Sequence, residues 1–306
     1  MIRTKSGAAT LSVASNALLI ALKIAAGAIT GSIAIITEAA HSTIDLLASV
    51  IALVSVRKAD EPPDPEHPYG HEKVENLAAA IEGMLIVVGA GIIVYEATRR
   101  LVVGAAVDHL GVGIAVIAFS TVVNFGVSTY LGRRAHEFGS AALAGDAAHL
   151  RADALTSLGV LAGLVLVQVT GNAVFDPIAA LLVAAAIVFA GIRILTGSSR
   201  VLVDEAPPPE ELDRIEAAIA GARPPEMVGY HKLRARRAGT RRYIDLHVQF
   251  RSGTTLEDAH AIAHELQDTI RGNLRGADVL IHLEPEDRVR PGEEIVVPAE
   301  SSETAH

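Results

Sequence analysis

The chain has 306 residues, half of them hydrophobic, with no cysteine and a formal net charge of −9. The missing thiols exclude disulfides and thiolate metal sites, so nitrogen and oxygen must hold any metal. The acidic balance argues against nucleic acid as a partner, and the apolar excess is unusual for a water-soluble enzyme.

The apolar residues crowd into six blocks, at 8–29, 33–56, 77–95, 112–131, 141–169 and 177–195. Each is near the roughly 20 residues that a helix needs to cross a bilayer. The first block follows Arg3 and Lys5 as a secretory signal would. It runs past Ala28, however, carries Asn16 and Lys23 at helical spacing, and precedes five more such blocks. Gly31 with Ser32, and Gly171 with Asn172, form short turns; longer polar connections follow the second block (57–73) and the fourth (132–140).

If all six blocks span, Arg3, Lys5, Arg57, Lys58, Lys73, Arg133, Arg134, Arg193 and Arg200 fall on one side. Only Arg99 and Arg100 fall on the other. The excess of positive charge marks the cytoplasmic side, so both termini are expected there, in a multi-pass cell membrane protein of the inner-membrane type.

Beyond Pro207, Pro208 and Pro209 the chain reads as a small soluble domain. Helical spacing covers 210–219, alternation gives strands at 228–236 and 243–250, an amphipathic helix follows at 256–270, and a last strand at 279–283. The order αββαβ predicts a cytoplasmic α+β domain of ferredoxin-like or metallochaperone-like class. The expected organisation is thus a six-helix all-α transmembrane bundle at 1–204, the αββαβ domain at 205–285, and a disordered acidic tail at 286–306.

Ionisable side chains inside spans are costly and rarely idle. The second block carries His41 and Asp45, the fifth His149 and Asp153, both as HxxxD. Residues i and i+4 share one helical face about 6 Å apart, so each pair offers an imidazole and a carboxylate to one point. Both pairs lie roughly 13–20 Å into their helices, near mid-membrane, at 1.5 Å per residue. Two histidines and two aspartates form an N₂O₂ set suited to tetrahedral zinc. A structural hydrogen-bonded pair is the bland alternative for one HxxxD and fits two at matched depth poorly. Glu38, Glu82, Asp146 and Arg151 also lie in the spans; Arg151 is expected to pair with a carboxylate such as Asp146 or to snorkel to the boundary.

Glu38-Ala-Ala-His41-Ser-Thr-Ile-Asp45 and His149-Leu-Arg-Ala-Asp153, with six helices before an αββαβ domain, resemble the cation diffusion facilitator family of metal exporters over about residues 8–285. The resemblance implies a homodimer that exchanges cytoplasmic metal for external protons by alternating access. It also implies zinc preference over cadmium from His at the first motif position. Asp64, His67 and His71 match the family's loop metal site. His231, His247, His260 and His282 match its cytoplasmic sites, where a two-metal cluster bridges protomers. Glu284 stands where relatives often carry Asp, which puts its ligation in doubt, and His264 matches no family ligand. Lys73 and Asp204 match a charge pair that joins the two domains in relatives. His109, His136 and His306 read as surface residues.

The expected function is therefore proton-coupled efflux of a divalent cation, zinc first, with Zn²⁺ also held in the cytoplasmic domain. Iron(II), manganese and cobalt are alternatives for the cargo. An intramembrane metalloenzyme would need an open metal position and a general base, and no HExxH sequence is present. A membrane-anchored metal sensor would leave the intramembrane pairs without a role.

Overall fold

The computed structural model describes residues 4–30, 33–103, 111–172 and 174–288, with side-chain surroundings given for all of these except 30, 33–38, 40, 41, 111–114 and 164. Chain contacts divide the protein into two units, Met1–Leu202 and Val203–His306.

Six long helices build the first unit: α1 (Lys5–Thr30), α2 (Ile33–Ala59), α3 (Lys73–Val103), α4 (Gly111–Phe138), α5 (Ala141–Thr170) and α6 (Phe175–Leu202). Among the described residues, five of them are long and apolar enough to cross a membrane. The sixth, α2, has 27 residues, carries Glu38, His41, Asp45, Arg57 and Lys58, and has part of its first half outside the described side chains.

Small residues let these helices approach closely, as they do in membrane bundles generally. Ala8, Ala9, Ala52, Ala78, Ala135, Ala142 and Ala147 form one core with Val56, Leu131, Leu143 and Leu150. On the other flank α3 meets α6 backbone to backbone. A Cβ at Gly83 would lie 2.9 Å from the Leu195 nitrogen, and one at Gly191 3.2 Å from the Gly83 oxygen.

Three helices run on past their apolar blocks: α3 to Val103, α6 to Leu202 and α4 to Phe138. The sequence places a polar connection at 132–140, but α4 continues to Phe138. Leu131 and Ala135 are buried on its inner face. Arg134 pairs with Glu137 and lies over the rings of Tyr130 and Phe138, so the polar stretch is amphipathic helix rather than loop. Gly139, at φ +60°, stops the helix, and Ser140 caps α5 by accepting from the Leu143 N–H.

The second unit follows the order α7 (Pro209–Gly221), β1 (Met227–Ala238), β2 (Arg241–Phe250), α8 (Leu256–Asn273) and β3 (Ala277–Pro285). β2 is central, antiparallel to β1 and parallel to β3. Ile244, Leu246, Val248 and Phe250 alternate along β2 onto the face covered by helix residues Ile215, Ile219, Leu266 and Ile270. A 3₁₀ turn, Glu286–Arg288, continues the fold three residues into the expected tail; 289–306 lie outside the described residues.

Candidate metal centres

Three groups of potential ligands converge among the described residues, each with ligand atoms within 4.8 Å of one another. The first lies inside the helix bundle. α2 and α5 pack so that His149 Nε2 stands 3.3 Å from Asp45 Oδ1 and 3.9 Å from Asp153 Oδ2. Asp45 and His149 are buried, while Asp153 is partly open to a cavity of about 360 Å³ that all three line. His41 sits in α2 one turn before Asp45, but its side chain lies outside the described residues, as does that of Glu38.

Sequence reasoning missed two polar features around this centre. Lys23 of α1 lines the same cavity, is buried, and donates to Ser42 Oγ at 2.7 Å. One rung towards the Ser140 end of α5, Ser49 donates to Asp146 Oδ1 at 2.8 Å. Ser49 itself accepts from Asn16 at 2.7 Å and meets Ser12 at 3.0 Å. Asp146 is thus held by α2 and α1 rather than by Arg151, which is exposed on α5. The buried serines gave no periodicity signal distinguishing them from ordinary helix positions.

The second group is the loop between α2 and α3. Asp64 Oδ1 accepts from the N–H groups of Glu66 and His67, closing a tight turn, and lies 3.1 Å from His67 Nδ1. His71 Nε2 lies 3.2 Å from the other Asp64 oxygen and is almost fully buried. The backbone N–H of His67 above all, opposed by some burial and assisted by its ring, holds the Asp64 carboxyl below the usual carboxylate range.

The third group occupies the sheet face opposite the helices. His231, His247 and His282 are register partners across β1, β2 and β3, so their rings form a row. Ring centroids are 5.0 Å apart for His231 and His247 and 4.6 Å for His247 and His282. Glu284, two residues on and on the same face, is the hub. Its carboxylate lies 2.9 Å from His231 Nε2, 2.7 Å from His247 Nδ1 and 3.5 Å from His282 Nε2. Burial pushes the Glu284 carboxyl up, but hydrogen bonds with His231, His247 and Gln249 outweigh it and hold the group at about 2. The extra methylene relative to Asp therefore does not remove the carboxylate from the cluster. His260 is elsewhere: exposed on α8, its Nε2 lies 3.1 Å from His264 Nε2.

Lys73 and Asp204 belong to different units. Within its own unit, Lys73 Nζ reaches the Leu202 carbonyl at 3.5 Å, and Asp204 pairs with Arg236 at 3.1 Å.

Comparison with known proteins agrees with this layout. Residues 9–203 match the cation efflux transmembrane domain, and 207–286 match the cytoplasmic domain of cation efflux proteins. An uncharacterized transporter of Synechocystis is 33% identical over 277 residues, 90% of this chain and 89% of that one. The cation-efflux pump FieF of Yersinia pestis is 31% identical over 286 residues, covering 92% and 93% of the two chains. The metal-bound C-terminal domain of the CzcD transporter from Thermotoga maritima is 26% identical, spanning 26% of this chain and 93% of its own, with a TM-score of 0.25.

Proposed function

This chain belongs to the cation efflux, or cation diffusion facilitator, family, and from that premise we propose that it exports zinc in exchange for protons. Divalent metal efflux by a multi-pass membrane transporter, rather than enzyme chemistry, is the property of the family as a whole. The convergence of Asp45, His149 and Asp153 carries the finer reading.

In this reading His41 completes the set, and two imidazoles with two carboxylates take one zinc ion. Loading requires neutral histidines and ionised aspartates. Free imidazole titrates near pH 6.5, so protons arriving from the outer side compete for the same nitrogens and expel the ion. Shared ligands thereby couple metal exit to proton entry while the bundle rocks about a midplane site. Both termini are assigned to the cytoplasmic side of an inner-type membrane.

The two other groups are assigned to binding rather than transport. Asp64, His67 and His71 form a loop site. His231, His247 and Glu284 offer two nitrogens and a carboxylate, a donor set that fits a resident zinc ion. Exposed His282 and His260 are left to complete sites across a homodimer, with metal there tightening the dimer. Lys73 and Asp204 are assigned to an interdomain charge pair. Iron(II), manganese and cobalt remain rivals to zinc because geometry and supply weigh as much as ligand type.

The deciding experiment is zinc flux into proteoliposomes under an imposed proton gradient, comparing wild type with Asp45→Ala and Asp153→Ala. Gradient-driven flux that both variants lose supports the antiporter. Normal flux in the variants would move the ion path elsewhere and leave a sensor role for the soluble unit.

A further inference from the structure

Glu82 of α3 is fully buried, and neither of its carboxylate oxygens has a hydrogen-bond partner. Its side chain presses on Gly145 of α5, where an added Cβ would collide with Oε2 and lie 3.1 Å from Cδ. The next residue is Asp146, also fully buried. Its Oδ1 is held by Ser49, but its Oδ2 has no partner. Three carboxylate oxygens without a hydrogen-bond partner, from two helices, are thus buried on either side of the Gly145–Asp146 step. Two ionised carboxylates buried together are untenable without a positive charge between or beside them.

We propose that Glu82 and Asp146 share one proton, and that this pair is a proton-binding site separate from the metal's ligands. The two carboxyl groups hold that proton as one titrating pair, one protonated and the other ionised. With that one proton the pair carries a single negative charge; it takes up a second proton, given up by His149, to become neutral, and returns to one negative charge when that proton passes on to water or a neighbouring base.

The surroundings favour a proton over a metal ion. The pair offers oxygen alone, and neither Glu82 nor Asp146 lines the cavity that Asp45, His149 and Asp153 line. Asp146 is the charged group acting on Glu82. From α6 the backbone around Gly191 and Leu195 comes beside neighbouring Gly83. Around Asp146 stand Ser12 and Asn16 of α1, Ser49 of α2, and His149 farther along its own helix.

Position gives the pair its use. Asp146 lies three residues from His149, about 4.5 Å along the axis. Ser49 and Asp146 form the rung next to Asp45 and His149 between α2 and α5. The rung lies towards the end where Glu75 of α3 is bonded to Ser140. A proton displaced from His149 by incoming metal therefore has an acceptor one rung nearer that end.

This inference rests on the proton-coupled reading above, and its test separates the two. Metal and proton fluxes are measured together in proteoliposomes, and the infrared carbonyl band of a protonated carboxyl is followed through metal loading. The expected result is a wild-type band that responds to metal. In Glu82→Gln the band is lost and the proton-to-metal ratio falls by one. Asp146→Asn, which keeps the Ser49 acceptor, is expected to do the same and replaces Glu82→Gln should that variant fail to accumulate. A band and ratio unchanged in both variants overturn the shared proton. So does a second intramembrane metal equivalent that disappears with Glu82. Wild-type flux indifferent to the proton gradient sinks the antiporter, while the infrared band still decides whether Glu82 and Asp146 hold a proton.

Discussion

His149 Nε2 and Asp45 Oδ1 stand 3.3 Å apart although 104 positions separate the residues. The contact ties α5 to α2 at a level where both helices carry ionisable groups. Asp45→Asn keeps the shape and an acceptor oxygen for His149 but removes the charge a dication needs. Metal affinity is expected to fall at least about tenfold, ~1.4 kcal/mol, with the helices still packed. Equilibrium metal binding with a parallel thermal melt checks this; unchanged affinity would remove Asp45 from the ligand set.

Gly145 is required by the Glu82 carboxyl rather than by its own backbone. In Gly145→Ala the new methyl meets Glu82 Oε2, and the Ala79 Cα lies 3.2 Å away, so α3 and α5 must part. Overpacking of this kind costs about 1–3 kcal/mol. The expected outcome is a lower melting temperature in detergent together with slower flux. A simultaneous Glu82→Ala substitution restores much of the melting temperature if the clash is the cause.

How much of this could be read from residues alone differs by site. The convergence of Asp45, His149 and Asp153 was legible because charge inside an apolar run stands out against its background. The row of His231, His247 and His282 was partly legible, since alternation puts each on a strand, but strand register is a tertiary property. Glu284 as hub was not legible: whether a longer carboxylate still reaches its partners depends on sheet geometry. The same holds for α4, whose last turns look polar in sequence and become helix because Leu131 and Ala135 find a core. Ser49 was silent for the opposite reason, since a single polar residue in an apolar helix carries no period.

Glu211 fastens the soluble unit at one corner. It accepts from Arg242 Nε at 2.9 Å and also pairs with Arg237. Burial pushes its carboxyl up, but the two guanidiniums prevail and hold it below its ordinary value. A depressed folded-state value means that the stabilisation is present above the unfolded value, near 4.5, and drains away as pH falls below it. Glu211→Gln is expected to lower the melting temperature of this unit near neutral pH. The gap from wild type should close on acidification below about pH 4.5. A gap constant across that range would show that packing, not charge, is what Glu211 supplies.

Lys23 places a cation in the cavity that Asp45, His149 and Asp153 line. Its ammonium is fixed on Ser42, one turn before Asp45 on the same face of α2. A buried positive charge so near a metal site opposes loading and helps release, because Coulomb repulsion is strong where water is scarce. The resident cation also balances carboxylate charge after the metal has gone. Lys23→Met keeps the length and apolar stem while removing that charge. We expect metal to bind about tenfold more tightly, ~1.4 kcal/mol, while turnover slows because release becomes harder. Steady-state flux then gives a lower KM with a lower kcat. A KM that rises instead would mean that Lys23 shapes the site through its bond to Ser42, and Lys23→Arg should then restore the wild-type value.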